Sequence, residues 1–403
     1  MSAASPHRPA DGVTLVFPCL NEAESIEACV AEALEAMADT DIPFEVLVVD
    51  NGSTDGSDVL AVGAGARVVH EPNPGYGSAL RRGIAEATTP IVCMADADLT
   101  YELAKLPELV APVRAGTADM VLGERLGSAN NESMPMLHRL VGTPVLSWLN
   151  RRAAPGLMVS DSQSGYRAFR RDAIVGLSLQ GTGMEYASEM LIRAARAGLR
   201  ITEVPTQYRP RQGESKLSTF RDGARHLRLI VLMAPHLLLR APGLALFLSG
   251  LVLTLASLLN PQGIHLGDEY WRPIYLSTIL LTVGALLVLA GEAIKRFSPL
   301  SVPRPSPATL VHDNRAMRNA TIVGAVAFVL GMVIDLAVLV SEGPTTGNEG
   351  RRAAVAGLAT SLVIVGAITL VAGFVGRLLL AQFGYARAIN APTVQAEPDQ
   401  LGV

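Results

Sequence analysis

The stretch IVCMADAD, residues 91–98, contains the pattern that decides the fold of the first half of the chain. Ile91–Met94 is a short apolar run, which is typical of a buried strand. Asp96 and Asp98 follow at positions i and i+2, so both carboxylates leave the strand end on the same side. Such oxygen ligands suit Mg²⁺ or Mn²⁺, which usually keeps phosphate oxygens and waters in the rest of its shell. A solvated turn is the alternative interpretation of an isolated Asp-x-Asp pair.

Other short apolar runs predict strands near residues 13–17, 44–49, 67–70 and 120–122. Helical patterns separate them, one from about Glu22 and others near 77–87 and 102–115. This alternation predicts an α/β fold with a mainly parallel sheet covered on both faces. Ligands of such sheets bind beyond the carboxyl ends of the strands. The predicted site therefore comprises the polar clusters at 18–22, 50–55 and 95–98.

The whole chain is 49% hydrophobic, and only 17% of its residues are charged, against about 25% in soluble domains. Almost every long apolar run lies after about residue 240. A helix needs about 20 apolar residues to cross a bilayer. Four stretches meet that length and predict an all-α transmembrane domain, near residues 242–260, 274–294, 320–341 and 353–380.

The loops between these stretches predict the orientation of the protein. The 295–319 loop contains five lysine and arginine residues, whereas the 261–273 loop contains only Arg272. The positive-inside rule places the basic loop in the cytoplasm, together with both termini and the α/β domain. Arg351 and Arg352, in the 342–352 loop, weaken this prediction without reversing it.

Residues 216–240 join the two regions and alternate basic with apolar side chains until Pro235 interrupts the run. A basic amphipathic helix that leads into a membrane span normally lies in the lipid interface. A helix packed on the surface of the soluble domain is the alternative.

Composition excludes other classes of protein. The net charge of −4 and the lack of a basic stripe predict no binding of nucleic acid. Cys19, Cys29 and Cys93 have no metal-type spacing and fit a reduced, cytoplasmic setting. The polar N-terminus predicts no signal peptide.

Three motifs in order carry a resemblance to a known family: FPCLNE at 17–22, VVDNGSTD at 48–55 and NPGYGSAL at 73–80. With the Asp-x-Asp pair they resemble the family 2 glycosyltransferases, whose nucleotide-sugar-binding domain has the GT-A fold. The resemblance covers essentially residues 13–240.

Later motifs are similar to a narrower group, the dolichyl- and undecaprenyl-phosphate mannose and glucose synthases. These motifs are DADL at 96–99, GER at 123–125, DSQSGYRAF at 161–169 and YRPRQGESKL at 208–217. The implied organisation is a cytoplasmic GT-A domain at 1–215, interfacial helices at 216–241, a transmembrane domain at 242–382 and a cytoplasmic tail at 383–403.

The resemblance also implies roles on the donor side. Glu22 and Asp50 would hold the ribose and base of the nucleotide, and Asp96 and Asp98 would bind its diphosphate through Mg²⁺ or Mn²⁺. The remaining nucleotide-binding candidates are Pro18, Asn21 and Gly75.

On the acceptor side, Arg125 and Arg139 resemble the arginines that bind the acceptor phosphate. Arg211 and Lys216 resemble the basic pair near the diphosphate. Gln163 and Glu185 are candidates for contacts to the sugar or the acceptor.

Structural interpretations of some candidates stay open. Asp50 could cap a helix, and the loop around Gly75, which is not a Walker motif, could be only a tight turn. Glu189 is interpreted as a salt-bridge partner of Arg193.

The implied reaction is inverting transfer of a hexose from UDP-glucose or GDP-mannose to a polyprenyl phosphate. Thr100 stands where the mannose synthases often have glutamine, which slightly favours glucose.

Alternatives are another lipid acceptor, a processive polysaccharide synthase and a non-catalytic membrane scaffold. Polysaccharide synthases usually carry a Gln-x-x-Arg-Trp motif, whereas Trp148 and Trp271 lie in other contexts. Homo-oligomerisation stays open.

Overall fold

The computed structural model describes residues 11–125, 142–210, 219–260, 264–266, 269–271, 274–297, 307–340 and 349–389. Contacts between residues divide the chain into two compact units, Met1–Ile230 and Val231–Val403. Each unit is described by itself below.

The first unit contains a seven-stranded sheet in the order β3-β2-β1-β4-β6-β5-β7. Its strands are β1 Val13–Cys19, β2 Phe44–Asp50, β3 Arg67–His70, β4 Ile91–Met94, β5 Met120–Glu124, β6 Arg167–Arg170 and β7 Ile201–Pro205. Only β6 runs antiparallel to its neighbours, β4 and β5, and the other pairs are parallel. The predicted α/β fold with a mainly parallel sheet is confirmed, and its arrangement is that of the GT-A fold.

Two strands, β6 and β7, were outside the sequence prediction. In β6 the sequence RAFR contains only two apolar residues, so its composition does not indicate a strand. Its Arg167 is nevertheless fully buried.

Eight helices are described in the first unit or start in it: α1 Ile26–Ala38, α2 Ser57–Gly63, α3 Tyr76–Glu86, α4 Leu106–Arg114, α5 Thr143–Ala153, α6 Arg171–Gly176, α7 Glu185–Arg196 and α8 Thr219–Met233. The first begins later than predicted, because the backbone amides of Ser25 and Ile26 both donate to the carbonyl of Glu22 and form a turn. On one sheet face Leu15 and Phe17 share a core with α1 and α4. On the other face Gly83 of α3 lies against Val16.

The described part of the second unit consists mainly of helices α9 Ala241–Leu259, α10 Ile274–Phe297, α11 Pro307–Val340 and α12 Glu349–Ile389. A π-helical turn, His236–Arg240, precedes α9, and an antiparallel pair, β8 Ile264–Leu266 and β9 Glu269–Trp271, follows it. Each of the four helices has a segment long and apolar enough to cross a membrane, with a mean hydropathy of 2.0 to 2.4. The four predicted apolar spans are thus helical in the structure.

Helix α8 occupies most of the segment predicted to lie in the lipid interface. Its His226, Leu229 and Ile230 are buried, whereas Leu227 is 52% exposed. One side of α8 therefore packs against protein. Contact of the other side with lipid stays a prediction.

Candidate active site

Three loops at the carboxyl edge of the sheet are joined by side-chain hydrogen bonds. Asn21, which has a positive φ of 53°, accepts a hydrogen bond from the backbone amide of Thr54 at 2.7 Å. Asn51 donates to the carbonyls of Glu71 and Asn73, and its side-chain oxygen accepts from the amide of Gly75 at 2.6 Å. The loops after β1, β2 and β3 are therefore joined to one another by hydrogen bonds of their own side chains.

Asp50 lies at the end of β2 and is 5% exposed. Its carboxylate accepts hydrogen bonds from the amides of Gly52 and Ser53, and His70 Nδ1 lies 3.2 Å from Oδ2. Burial acts to raise the pKa of Asp50, but these hydrogen bonds outweigh it and hold the pKa below its ordinary value. The carboxylate is thus ionised at neutral pH and closes the loop before α2.

Two other donor-side candidates belong to the same edge. Pro18 is part of β1 and pairs with Val49 of β2. The backbone amide of Glu22 donates to Ser57 Oγ at 2.9 Å, which joins the first loop to the start of α2.

Asp96 and Asp98 follow β4 as predicted, and each carboxylate is oriented by a hydroxyl group. Asp96 Oδ1 accepts from the Tyr76 hydroxyl at 2.9 Å. Asp98 Oδ1 accepts from the Thr100 amide at 3.1 Å and from its hydroxyl at 2.6 Å. Leu99, which lies between Asp98 and Thr100, has a φ of 62° and turns the chain back toward Asp98. Thr100 therefore holds Asp98 in place.

Two carboxylates are a hard oxygen donor set that fits Mg²⁺ or Mn²⁺. Within the described ranges no group of three or more His, Cys, Asp or Glu residues could hold a metal ion. Asp96 and Asp98 fit a site in which substrate phosphates and water complete the coordination shell. They do not form an all-protein cage.

The glycine-rich loop before α3 is a tight turn. Gly75 has a φ of 131°, and a Cβ at this position would lie 2.1 Å from the carbonyl oxygen of Thr182. The amides of Gly77 and Ser78, at the start of α3, both donate to that same oxygen. The carbonyl of Thr182 therefore caps the N-terminus of α3. Gly75 has the geometry of a tight turn, and its contact with a nucleotide stays a prediction.

Substitution Gly75→Ala is expected to destabilise the protein by about 2–3 kcal/mol, because alanine neither tolerates this φ nor fits beside Thr182. A drop in the thermal midpoint of about 5–10 °C should follow. Gly63→Ala in α2 is the matched control, since a Cβ there meets nothing within 4 Å. Equal midpoints for the two variants would contradict the close approach.

Arg125 follows β5 and forms a buried bidentate ion pair. Its Nε donates to Asp161 Oδ2 at 2.6 Å and its Nη2 to Oδ1 at 3.0 Å. The guanidinium also lies over the ring of Tyr208, 5.2 Å from the centroid. Burial acts to lower the pKa of Arg125, but Tyr101 and Asp161 raise it well above its ordinary value. The guanidinium is permanently charged and held in one orientation.

Tyr101 joins the arginine to the Asp-x-Asp segment. Its ring stacks on Tyr166 with centroids 5.3 Å apart and meets Tyr208 edge-on at 6.1 Å. Its hydroxyl accepts from the Gly165 amide at 2.8 Å. A Cβ on Gly165 would lie 2.9 Å from Asp96 Oδ2 and 3.1 Å from the Tyr101 hydroxyl. Gly165 thus lets the segment before β6 approach the carboxylate of Asp96.

That segment is held from inside by Arg167, which donates to the carbonyls of Ser162, Ser164 and Ala187. Burial lowers the pKa of this guanidinium to about 10, so it still carries its charge at neutral pH. The cation stabilises three carbonyl dipoles at once and fixes the loop that presents Asp161.

The two candidates for sugar or acceptor contacts have structural partners. Gln163 Nε2 donates to the hydroxyls of Ser162 and Ser188 at 2.9 and 3.2 Å. Glu185 accepts from the amides of Thr182 and Gly183, so it holds the turn that precedes helix α7. Sugar contacts by Gln163 and Glu185 stay predictions.

The predicted salt bridge between Glu189 and Arg193 is confirmed. Glu189 Oε1 lies 2.9 Å from Arg193 Nε, and the carboxylate also accepts from the amides of Gln180 and Gly181.

The structure brings most of the predicted donor-side residues and Arg125 to one edge of the sheet, whereas Arg139, Arg211 and Lys216 lie outside the described residues. Sequence reasoning gave no role to five residues that build this site: Tyr76, Tyr101, Asp161, Arg167 and Tyr208. Four of them, all except Tyr101, lie in motifs that carried the family resemblance, which was the available signal.

Comparison with known proteins agrees with this architecture. The family model described as glycosyl transferase family 2 matches residues 14–176. The low-salt glycan biosynthesis hexosyltransferase Agl6 of Haloferax volcanii is 34% identical over 371 residues, which cover 90% of this chain and 87% of that protein. The chain belongs to glycosyl transferase family 2, and it is a glycosyltransferase.

Two further relatives match about half of the chain. A dolichyl-phosphate hexose transferase of Haloferax volcanii is 34% identical over 53% of this chain and 90% of its own length. An undecaprenyl-phosphate mannosyltransferase of Micrococcus luteus is 33% identical over 51% of this chain and 87% of its own length. Within the family, the chain resembles the polyprenyl-phosphate hexose synthases.

Proposed function

We propose that this protein transfers a hexose from a nucleotide sugar to a polyprenyl phosphate at the cytoplasmic face of a membrane. The observation that carries the proposal is a chain of contacts through Tyr101. Its hydroxyl accepts from the amide of Gly165, which lies against the carboxylate of Asp96, and its ring meets Tyr208, over which the guanidinium of Arg125 lies. A cation site and a fixed guanidinium suit two phosphate-bearing substrates that must meet.

The donor nucleotide is assigned to the three joined loops. Glu22 and Asp50 hold the ribose and base, with Pro18, Asn21 and Gly75 around them. Asp96 and Asp98 hold Mg²⁺ or Mn²⁺, which when bound neutralises charge on the departing nucleoside diphosphate. Arg211 and Lys216 are assigned to the same diphosphate.

The acceptor needs no general base. A phosphate monoester has its second pKa near 6, so it is already an oxyanion at pH 7. Its requirement is to be positioned, and the forked donors of arginine match phosphate oxygens. Arg125 and Arg139 are assigned to this task, and the pairing with Asp161 supports a fixed orientation of Arg125. Gln163 and Glu185 are assigned to hydroxyl groups of the sugar or acceptor.

The chemistry follows as one in-line displacement. An acceptor phosphate oxygen attacks the anomeric carbon, the bond to the diphosphate oxygen breaks, and the configuration inverts without a covalent enzyme intermediate. Retained configuration in the product would overturn this mechanism.

The membrane assignment draws on the second unit and on loop charge. Four helices are apolar enough to cross a bilayer. The basic residues of the 295–319 loop favour a cytoplasmic location for that loop and for the catalytic domain. A polyprenyl phosphate keeps its tail in lipid and its phosphate at the surface, where such a domain would meet it. Two relatives are named for dolichyl and undecaprenyl phosphate.

The test uses purified protein in detergent with a polyprenyl phosphate and radiolabelled UDP-glucose or GDP-mannose in parallel. Label is expected in an acid-labile lipid in the organic phase from one donor, and EDTA should abolish it. Added Mg²⁺ or Mn²⁺ should restore transfer. Nucleotide binding without labelled lipid, across a panel of donors, would point to another acceptor or to a scaffold role.

A further inference from the structure

Helix α5 has its polar side inside the first unit and its apolar side outside. Ser147 and Asn150 are fully buried, and Thr143 is 6% exposed. On the opposite side Val145 and Trp148 are each 48% exposed. A surface helix of a soluble domain normally shows the reverse pattern. Buried polar side chains and exposed large apolar ones are the informative departures from that rule.

Hydrogen bonds fix α5 in this rotation. Asn150 Nδ2 donates to the hydroxyls of Ser162 and Ser188 at 2.9 and 3.2 Å. Ser147 Oγ lies 3.1 Å from Ser162 Oγ and accepts from the Ser162 amide. Turning the apolar side inward would break this network and leave buried polar groups without partners, which is unfavourable. The outward position of Trp148 is therefore built into the fold.

The exposed side has the composition of a surface that meets lipid headgroups. The guanidinium of Arg152 lies 5.4 Å from the centroid of the Trp148 ring. Met158, shortly after the helix, is 84% exposed. Residues 142–158 contain two arginines and no acidic residue. Tryptophan and arginine are favoured together at the membrane interface, where the ring enters the headgroup region and the cation meets anionic lipid.

We propose that the exposed side of α5, with Met158, is a lipid-contact surface of the catalytic unit. The occupant is the surface of a bilayer that contains anionic lipid. The second unit supplies the argument for this occupant, because its four apolar helices tie the same chain to a membrane. The proposal rests on the proposed membrane location and adds a contact by the catalytic unit itself.

The test exploits the two tryptophans of the chain, Trp148 and Trp271. Full-length protein with Trp271→Phe keeps Trp148 as its sole tryptophan and is reconstituted in nanodiscs of phosphatidylcholine and phosphatidylglycerol. Spin-labelled lipids with a shallow nitroxide are expected to quench Trp148 strongly, and aqueous iodide only weakly. The Trp148→Phe protein keeps only Trp271. It shows how the fluorescence of Trp271 responds to both quenchers, and it serves as the matched control.

The outcomes separate lipid from other occupants. Full quenching by iodide without quenching by the lipid nitroxide would overturn the proposal, because Trp148 would then face water. Protection from both quenchers would also overturn it, since a second copy or another protein would cover the surface. Neither readout depends on turnover, so a failure here is distinct from a failure of the proposed reaction.

Activity gives a second readout. Trp148→Glu is expected to lower transfer to a long-chain polyprenyl phosphate in bilayers about tenfold, because a charged side chain replaces the apolar area that Trp148 buries in lipid. Transfer to a water-soluble short-chain acceptor should stay unchanged, and Trp148→Phe should restore bilayer activity. Equal losses on both acceptors would mean a structural role for Trp148 and would overturn the lipid contact.

A different observation supports a second inference, about the membrane unit. Helices α9 and α11 both carry a Gly-x3-Phe-x2-Gly pattern, GLALFLSG at 243–250 and GAVAFVLG at 324–331. Helices α10 and α12 also match, with STILLTVGALLVLAG at 277–291 and ATSLVIVGAITLVAG at 359–373. The last two segments are identical at seven of fifteen positions, which include both glycines.

The matched residues make matched contacts. A Cβ on Gly284 would lie 2.4 Å from the amide nitrogen of Phe247, and a Cβ on Gly366 would lie 2.4 Å from that of Phe328. A Cβ on Gly331 would lie 2.8 Å from the amide nitrogen of Val363, and a Cβ on Gly250 would lie 2.7 Å from that of Leu281. Glycine permits such close helix packing in membranes. Sequence and packing therefore repeat together.

We infer that the four helices are two copies of one helical hairpin, α9–α10 and α11–α12. The copies differ at one end. Arg240 and Glu292 form an ion pair of 3.4 Å in the first hairpin, and the matched residues of the second are Thr321 and Phe374. The charged pair is thus specific to the hairpin that directly follows α8.

A transplant tests the duplication in the full-length protein. Residues 277–291 are replaced by the sequence of residues 359–373, with a control in which the same fifteen residues are shifted by two positions so that the glycines move. The transplant is expected to keep the thermal midpoint within a few degrees and activity within about twofold, whereas the control loses both. A transplant as unstable as the shifted control would overturn the inference.

Discussion

Substitution Asp98→Asn is expected to reduce glycosyl transfer by about a thousandfold or more while the protein still folds. Loss of the charge weakens the binding of the cation that offsets negative charge on the leaving diphosphate. Such electrostatic contributions are among the largest in catalysis. The fold should survive, because an asparagine oxygen still accepts from the amide and hydroxyl of Thr100. Initial rates and Mn²⁺ binding by electron paramagnetic resonance measure the two effects.

Asp41→Asn is the matched control for this experiment. Asp41 is exposed and lies just before β2, at the opposite edge of the sheet from Asp98. The same change of charge there should leave both rate and Mn²⁺ binding within about twofold, since exposed charges interact weakly. Near-normal turnover of Asp98→Asn would show that the assignment of the metal is wrong.

Substitution Asp161→Leu is expected to destabilise the first unit by about 3–5 kcal/mol, because it leaves the buried guanidinium of Arg125 without its carboxylate. The side chain of Asp161 is fully buried and that of Arg125 is 9% exposed, so water does not replace the lost partner. Thermal unfolding of purified protein measures the loss, and transfer activity should fall with it.

The double variant Arg125→Met/Asp161→Leu separates stability from function. Replacing both charges by apolar groups removes the unpaired ion and should recover most of the lost stability. Activity should remain lost, since the acceptor phosphate then lacks its arginine. Recovery of activity together with stability would limit Arg125 to a structural role.

The sheet was predictable where local composition matches the environment of a strand. β1, β2 and β4 are mainly apolar runs covered on both faces, and polar residues of the ligand edge stand at the end of β2 and shortly after β1 and β4. The position of Asp96 and Asp98 directly after β4 was predictable from the same apolar run, and their role as metal ligands stays a prediction. The four apolar helices were predictable from length and hydropathy.

The acceptor side was less predictable, because its residues act through partners distant in sequence. Arg125 and Asp161 are 36 residues apart, and Tyr208 lies further along the chain. No local pattern indicates that Arg167 is buried, since its charge is met by backbone carbonyls instead of by an acidic side chain. Only the fold brings these groups together.

The antiparallel strand β6 has a mechanical consequence for this protein. Arg167 pairs with Met94 of β4 and with Leu122 of β5, so one residue sets the alignment of three strands. A slip by one residue would turn the guanidinium to the other face of the sheet, away from its three carbonyls. The register of β6 thereby fixes the relative positions of the strand ends that precede Asp96 and Arg125, and of the segment before β6 that carries Asp161.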